Sequence, residues 1–164
     1  MRLSRRSLLV TAAVAASLVP ASSAIAHDDS SHHRSRDLLR APIAGSMPDQ
    51  PINGVKSGGA PWVIDEGSAR VRTDGRIEVR VEGLVIPTPP QNGTNPVTTL
   101  SASLSCNGMK PGRHMTTRAV PFSKAGDARI KDTIRVPQRC IAPVVMLNPR
   151  GDNTVYIGIT GVED

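Results

Sequence analysis

Residues 69–81 read Ala69-Arg70-Val71-Arg72-Thr73-Asp74-Gly75-Arg76-Ile77-Glu78-Val79-Arg80-Val81. Ala69, Val71, Ile77, Val79 and Val81 alternate with Arg70, Arg72, Arg76, Glu78 and Arg80, and Asp74-Gly75 interrupts the alternation. Successive side chains of a strand point to opposite faces, so two runs of period two about an Asp-Gly step predict a β-hairpin with one apolar and one charged face. Asp-Gly suits the two-residue turn that matches strand twist, because that turn needs positive φ at both central residues. The second strand runs on to Gly83, a position for a bulge, then through Leu84-Val85-Ile86 until Pro87 stops it.

The same period extends outward from the hairpin. Pro61-Trp62-Val63-Ile64 opens the folded part. Leu100, Ala102, Leu104 and Cys106 alternate with Ser101, Ser103 and Ser105, so the first cysteine points inward with the core side chains. Met115 to Val120 is a weaker strand. Ala128, Ile130, Ile134 and Val136 alternate with Arg129, Lys131, Thr133 and Arg135, while Asp132 falls on the apolar side of the count. A bulge that flips the register there is favoured over an inward carboxylate with a partner. Cys140 to Leu147 is nearly all apolar, as in a strand covered on both faces, and Val155-Tyr156-Ile157-Gly158-Ile159 closes the domain.

No segment sustains a helical period. About seven or eight strands spread over residues 60–164 predict an all-β fold, a two-sheet antiparallel sandwich that is immunoglobulin-like; a small barrel is the alternative. Trp62, Phe122 and Tyr156 are the only aromatic residues, so the core rests on aliphatic side chains and Trp62 reads as a core plug.

The chain before this domain carries two signals. Arg2, Arg5 and Arg6 precede an apolar run, Leu8 to Val19, broken only by Thr11 and Ser17; Pro20 ends it and Ala24-Ile25-Ala26 supplies small residues for cleavage before His27. This is the pattern of a cleavable export signal over residues 1–26. Twelve residues rise only about 18 Å as a helix, short of the ~30 Å hydrocarbon layer, which argues against a permanent anchor. Ser4-Arg5-Arg6-Ser7-Leu8-Leu9 also resembles the twin-arginine motif, and the choice between export routes stays open. Residues 27–59 show no hydrophobic period and read as a disordered arm leading to a single domain at 60–164.

The formal charge of +6 shrinks when the leader goes, since three of the twenty basic residues leave and all fourteen acidic ones stay, giving +3. That value is an ordinary solubility setting, and with so few aromatics the chain lacks the stacking platforms of a nucleic-acid binder. Cys106 and Cys140, an even pair in an exported chain, read as one disulfide. The chain-entropy estimate for such a loop is roughly 3 to 4 kcal/mol. A redox-active pair would need the Cys-x-x-Cys spacing, which is absent.

Pro61 to Gly67, Asp74-Gly75 through Val81-Glu82-Gly83-Leu84, Ser105-Cys106-Asn107-Gly108 and Cys140-Ile141-Ala142-Pro143 together resemble small exported proteins of high-GC Gram-positive bacteria. The resemblance implies the exported compartment and the one-domain layout. It brings no activity and no catalytic motif to carry over. The sixteen arginines against four lysines fit such a genome.

Three groups of residues carry candidate chemistry. Cleavage after Ala26 would free an α-amine on His27 beside its own imidazole, a bidentate copper ligand that His114 could complete; His27, His32 and His33 with Asp28 and Asp29 read equally as a solvated tail. For catalysis His114 is the only base in the folded part, it sits in a Pro-Gly turn without a nucleophile motif, and adjacent Asp65-Glu66 point to opposite faces. Finally, the outward residues Arg70, Arg72, Arg76 and Arg80, with Arg129, Lys131 and Arg135 on another strand, could meet an anionic cell-wall polymer if they share one face. Glu78 and Glu82 interrupt that row, so a salt-bridged outer face is the competing account. The expectation is a secreted, non-catalytic β-sandwich that acts by binding or as a structural protein in the envelope or medium. It has no nucleic-acid partner, no resident cofactor and no membrane span after leader removal. The alternative is copper binding through His27.

Overall fold

The computed structural model describes residues 35–107 and 113–161. The leader, its cleavage point at Ala26-His27, and His32 and His33 lie outside the described residues. Among the described residues every element is a strand: β1 (Asp37–Gly45), β2 (Lys56–Ser57), β3 (Glu66–Arg72), β4 (Arg76–Glu82), β5 (Thr99–Ser105), β6 (Met115–Thr116), β7 (Val120–Pro121), β8 (Ala128–Thr133), β9 (Val144–Pro149), β10 (Val155–Tyr156) and β11 (Gly158–Thr160). The hydrogen-bonded order is β6-β5-β9-β11-β1-β3-β4-β8, antiparallel throughout, with β7 also on β5. β2 and β10 form a separate parallel pair.

The fold is therefore all-β, a curled antiparallel sheet. The ladder runs unbroken from β6 to β8 because β1 belongs to both halves: Asp37 to Pro42 pair with β3, and Ile43 to Gly45 pair with β11. The curl wraps one core, in which Val71, Ile77, Val79 and Ile130 from one half meet Leu100, Leu104, Val145 and Leu147 from the other. Trp62 is buried in that core.

β1 overturns the disordered arm from Asp37 onward. Its inner face, Leu39, Ala41 and Ile43, has the strand period, and Leu39 and Ile43 pack on the core. Pro42 sits where the strand changes partner, which is how a proline is accommodated inside a sheet. The chain then turns close to Trp62: a Cβ on Gly45 would lie 2.0 Å from the Trp62 carbonyl oxygen, so the approach requires glycine. The described residues after β1, 46–59, are ordered too. Ile52 and Val55 join Met146, Tyr156 and Ile159 in a second apolar cluster on the outer side of β9 and β11. The Tyr156 hydroxyl donates to the Gln50 carbonyl at 2.6 Å, which fastens this cover. Beside the cover, Ser101, Ser103 and Ser105 on the outer face of β5 are buried rather than solvated.

The hairpin of β3 and β4 has the expected register, with Ala69 opposite Val79 and Val71 opposite Ile77. Its turn differs in type. Only Gly75 has positive φ, +91°, and its N–H donates to the Arg72 carbonyl at 3.0 Å, so three residues, Thr73, Asp74 and Gly75, form the loop. This is the turn followed by a left-handed glycine that also connects hairpin strands. Asp74 reinforces it by accepting the Arg76 N–H at 3.1 Å.

The bulge expected at Asp132 is absent. β8 pairs with β4 without a shift, Asp132 opposite Ile77, and the inward carboxylate instead accepts the backbone N–H groups of Arg118 and Thr133, both at 2.9 Å.

Cys106 and Cys140 are bonded. The bond ties the end of β5 to the segment entering β9, its neighbour in the ladder. Asn107 clamps the same place: its N–H donates to the Ile141 carbonyl at 2.8 Å, its side chain accepts the Ile141 N–H at 2.7 Å, and its amide donates to the Arg139 carbonyl at 3.0 Å.

Candidate functional site

The outer face of β1, β3, β4 and β8 collects most of the basic residues singled out in the sequence. Because Ala69, Val71, Ile77, Val79 and Ile130 face the core, their alternates face solvent. The register sets these alternates in rows across the strands. One row runs Arg40, Arg70, Glu78, Lys131; the next runs Ser68, Arg80, Arg129. Arg40 completes the first row from β1, a residue hidden in the segment read as an arm.

Not every expected member joins. Arg72 lies down on the chain before β1, donating to the Ser35 carbonyl at 2.8 Å, and Arg76 turns to Asp74 at 3.3 Å beside the hairpin loop. Arg135 lies beyond the end of β8.

Two pairs of positive charges stand directly opposite each other: Arg40 with Arg70, and Arg80 with Arg129. Such pairs are destabilising relative to neutral ones. The protein offsets the first with Asp37, whose carboxylate accepts Arg70 Nε at 2.8 Å and lies 3.6 Å from Arg40 Nε. The hydrogen bond from Arg70 holds the Asp37 carboxyl below its ordinary value, and Asp37 in turn raises the Arg70 guanidinium. In the second pair Arg80 donates through Nε to Glu82 at 2.9 Å, and that hydrogen bond raises its pKa. Arg129 and Lys131 have no ion pair among the described residues. Five cations, Arg40, Arg70, Arg80, Arg129 and Lys131, with the single carboxylate Glu78, line a hollow of about 260 Å³.

The polarity of this face reverses toward one end. Glu66 lies opposite Glu82, and Asp127, next to β8, accepts the Gly83 N–H at 3.1 Å. Adjacent Asp65 and Glu66 are thus divided, Glu66 on the outer face of β3 and Asp65 against Gly83.

His114 is the only histidine among the described residues, and it is 7% exposed in the segment before β6. His27, its expected partner in copper binding, lies outside the described residues. Among the described residues no three His, Cys, Asp or Glu side chains are grouped to hold a metal. No helix of the described residues is long and apolar enough to cross a membrane.

Parity along β3, β4 and β8 was enough to find Arg70, Arg80, Arg129 and Lys131. That β4 and β8 are neighbours follows only from the folded ladder. No family model matches this chain, and neither a curated protein nor a solved structure matches it.

Proposed function

We propose that this protein is an exported, non-catalytic binding protein that holds an anionic polymer of the cell envelope against the outer face of β1, β3, β4 and β8. The observation that carries the reading is the direct opposition of Arg40 with Arg70 and of Arg80 with Arg129, beside Lys131, on one sheet face. A face selected for stability alone would place opposite charges across the strands. The leader pattern of residues 1–26 and the resemblance to small exported proteins of high-GC Gram-positive bacteria support the compartment, and a disulfide persists in such an environment. We read the two halves of the curled sheet as the layers of an immunoglobulin-like sandwich, a scaffold that leaves flat outer faces for a partner.

The test is retention of the secreted protein on isolated cell wall. Binding is expected at about 0.1 M salt, where charges act over about 10 Å, and release by about 1 M, where they act over about 3 Å. Retention indifferent to salt, or none at low salt, rejects the reading.

A further inference from the structure

We infer that the chemical group this face recognises is a phosphate of the polymer, seated where Arg80, Arg129 and Lys131 meet on β4 and β8; the inference rests on the reading of the face as a polymer-binding surface.

Arg80 and Arg129 are directly opposite, and Lys131 is the next outward residue of β8, about 7 Å along the strand. All three line the same hollow. Their donors differ in availability from those of the other cations there. Asp37 already occupies Arg70 and lies beside Arg40. Arg80 gives Nε and one terminal nitrogen to a single Glu82 oxygen, which leaves its other terminal nitrogen to donate elsewhere. Arg129 and Lys131 have no carboxylate partner among the described residues.

The ligand class follows from the number of these donors around one hollow. A carboxylate is planar, offers two oxygens and is matched by one guanidinium fork. Two guanidinium groups and an ammonium that line one hollow from two strands suit a tetrahedral group, whose oxygens point in several directions and can accept from more than one donor at once. Glu78, opposite Lys131 on β4, bounds the site on the side of the first arginine pair. The polymer thus lies across β4 and β8 with a phosphate over Arg129, while Arg40 and Arg70 contribute field more than contact.

The experiment is displacement from isolated cell wall at constant ionic strength by inorganic phosphate or by acetate, paired with an NMR titration of the free protein with inorganic phosphate. Wild type is expected to be released by phosphate at a concentration about tenfold lower than by acetate. The Arg129→Ala, Lys131→Ala double variant, both positions exposed, is expected to keep the Trp62 emission of the folded protein, to bind the wall about tenfold more weakly and to lose the preference. Arg40→Ala should keep the preference. In the titration, the amides around Arg80, Arg129 and Lys131 should shift together. Salt-sensitive retention with equal release by both anions, or a double variant that keeps the preference, overturns the phosphate site and leaves the polymer reading standing. If the wall does not retain the wild type at all, the polymer reading fails, and the titration alone decides: concerted shifts at the three residues uphold the phosphate site, and their absence overturns it.

Discussion

Asp132 on β8 accepts the backbone N–H of Arg118 at 2.9 Å, so the last strand at one end of the ladder is tied to the segment between β6 and β7 at the other. The Arg118 guanidinium lies 3.5 Å from the same carboxylate, and β7 touches β8 nearby. One inward carboxylate thus fastens the curl where the two ends of the sheet approach.

Replacing it should show in stability. Backbone hydrogen bonds from Arg118 and Thr133 hold the Asp132 carboxyl below its ordinary value. A group with a lowered folded-state pKa stabilises the fold above the unfolded value of about 3.9, and that contribution fades as the pH falls through the lower folded value. Asp132→Asn, which turns an amide N–H toward a backbone donor, is expected to cost about 1–3 kcal/mol at pH 7. The gap to wild type should narrow as the pH falls below the unfolded value. Urea unfolding followed by Trp62 fluorescence at pH 7 and through the acid range checks this, and an unchanged gap would contradict it.

β1 predicts where the chain can be shortened. A variant beginning at residue 35 should unfold in one cooperative transition, whereas one beginning at residue 60 loses the strand between β11 and β3 and should fail to fold. Circular dichroism and amide dispersion distinguish the two. A well-folded variant from residue 60 would show that β1 is dispensable.

At the hairpin, Gly75→Val puts a β-branched residue at φ +91° with its Cβ 2.2 Å from the Ile134 carbonyl oxygen. The expected loss is about 2 kcal/mol or more, from the conformation and the collision together. Gly93→Ala is the control: it also has positive φ, but a Cβ there meets nothing within 4 Å. Its loss should be smaller, and equal losses would remove the contact with Ile134 as the cause.

The disulfide closes a separation of 34 residues. Cys106→Ser with Cys140→Ser should lower stability by roughly 3 to 4 kcal/mol if chain entropy dominates. Cys106 is fully buried, so its serine adds a hydroxyl among apolar groups. Chemical denaturation gives the loss, and thiol titration of the denatured wild type should find no free thiol.

What could be read from the residues follows their range of interaction. The β3–β4 hairpin carries its own period and turn, so its register was legible although the turn type was not. The cysteine pair needed only compartment and count. β1 escaped because only Leu39, Ala41 and Ile43 carry the period, Pro42 stands among them, and the strands that give it meaning come from β3 on one side and β11 on the other. Asp132 broke the alternation, and its partner Arg118 lies outside any local pattern, so a local bulge was the available explanation. For the candidate site, outward parity identified four of the five cations, while Arg40 was concealed with its strand.

The pairing of Ile43 with Thr160 also orders events in time. A nascent chain delivers β1 early and β11 late, and until Gly158 to Thr160 arrive the edge of β1 from Ile43 to Gly45 stands open. Such an edge is a template for any extended segment, including the same segment of another copy. Closure must therefore wait until the chain has been made through Thr160, and a pairing so distant along the chain makes slow assembly the natural kinetics of this fold.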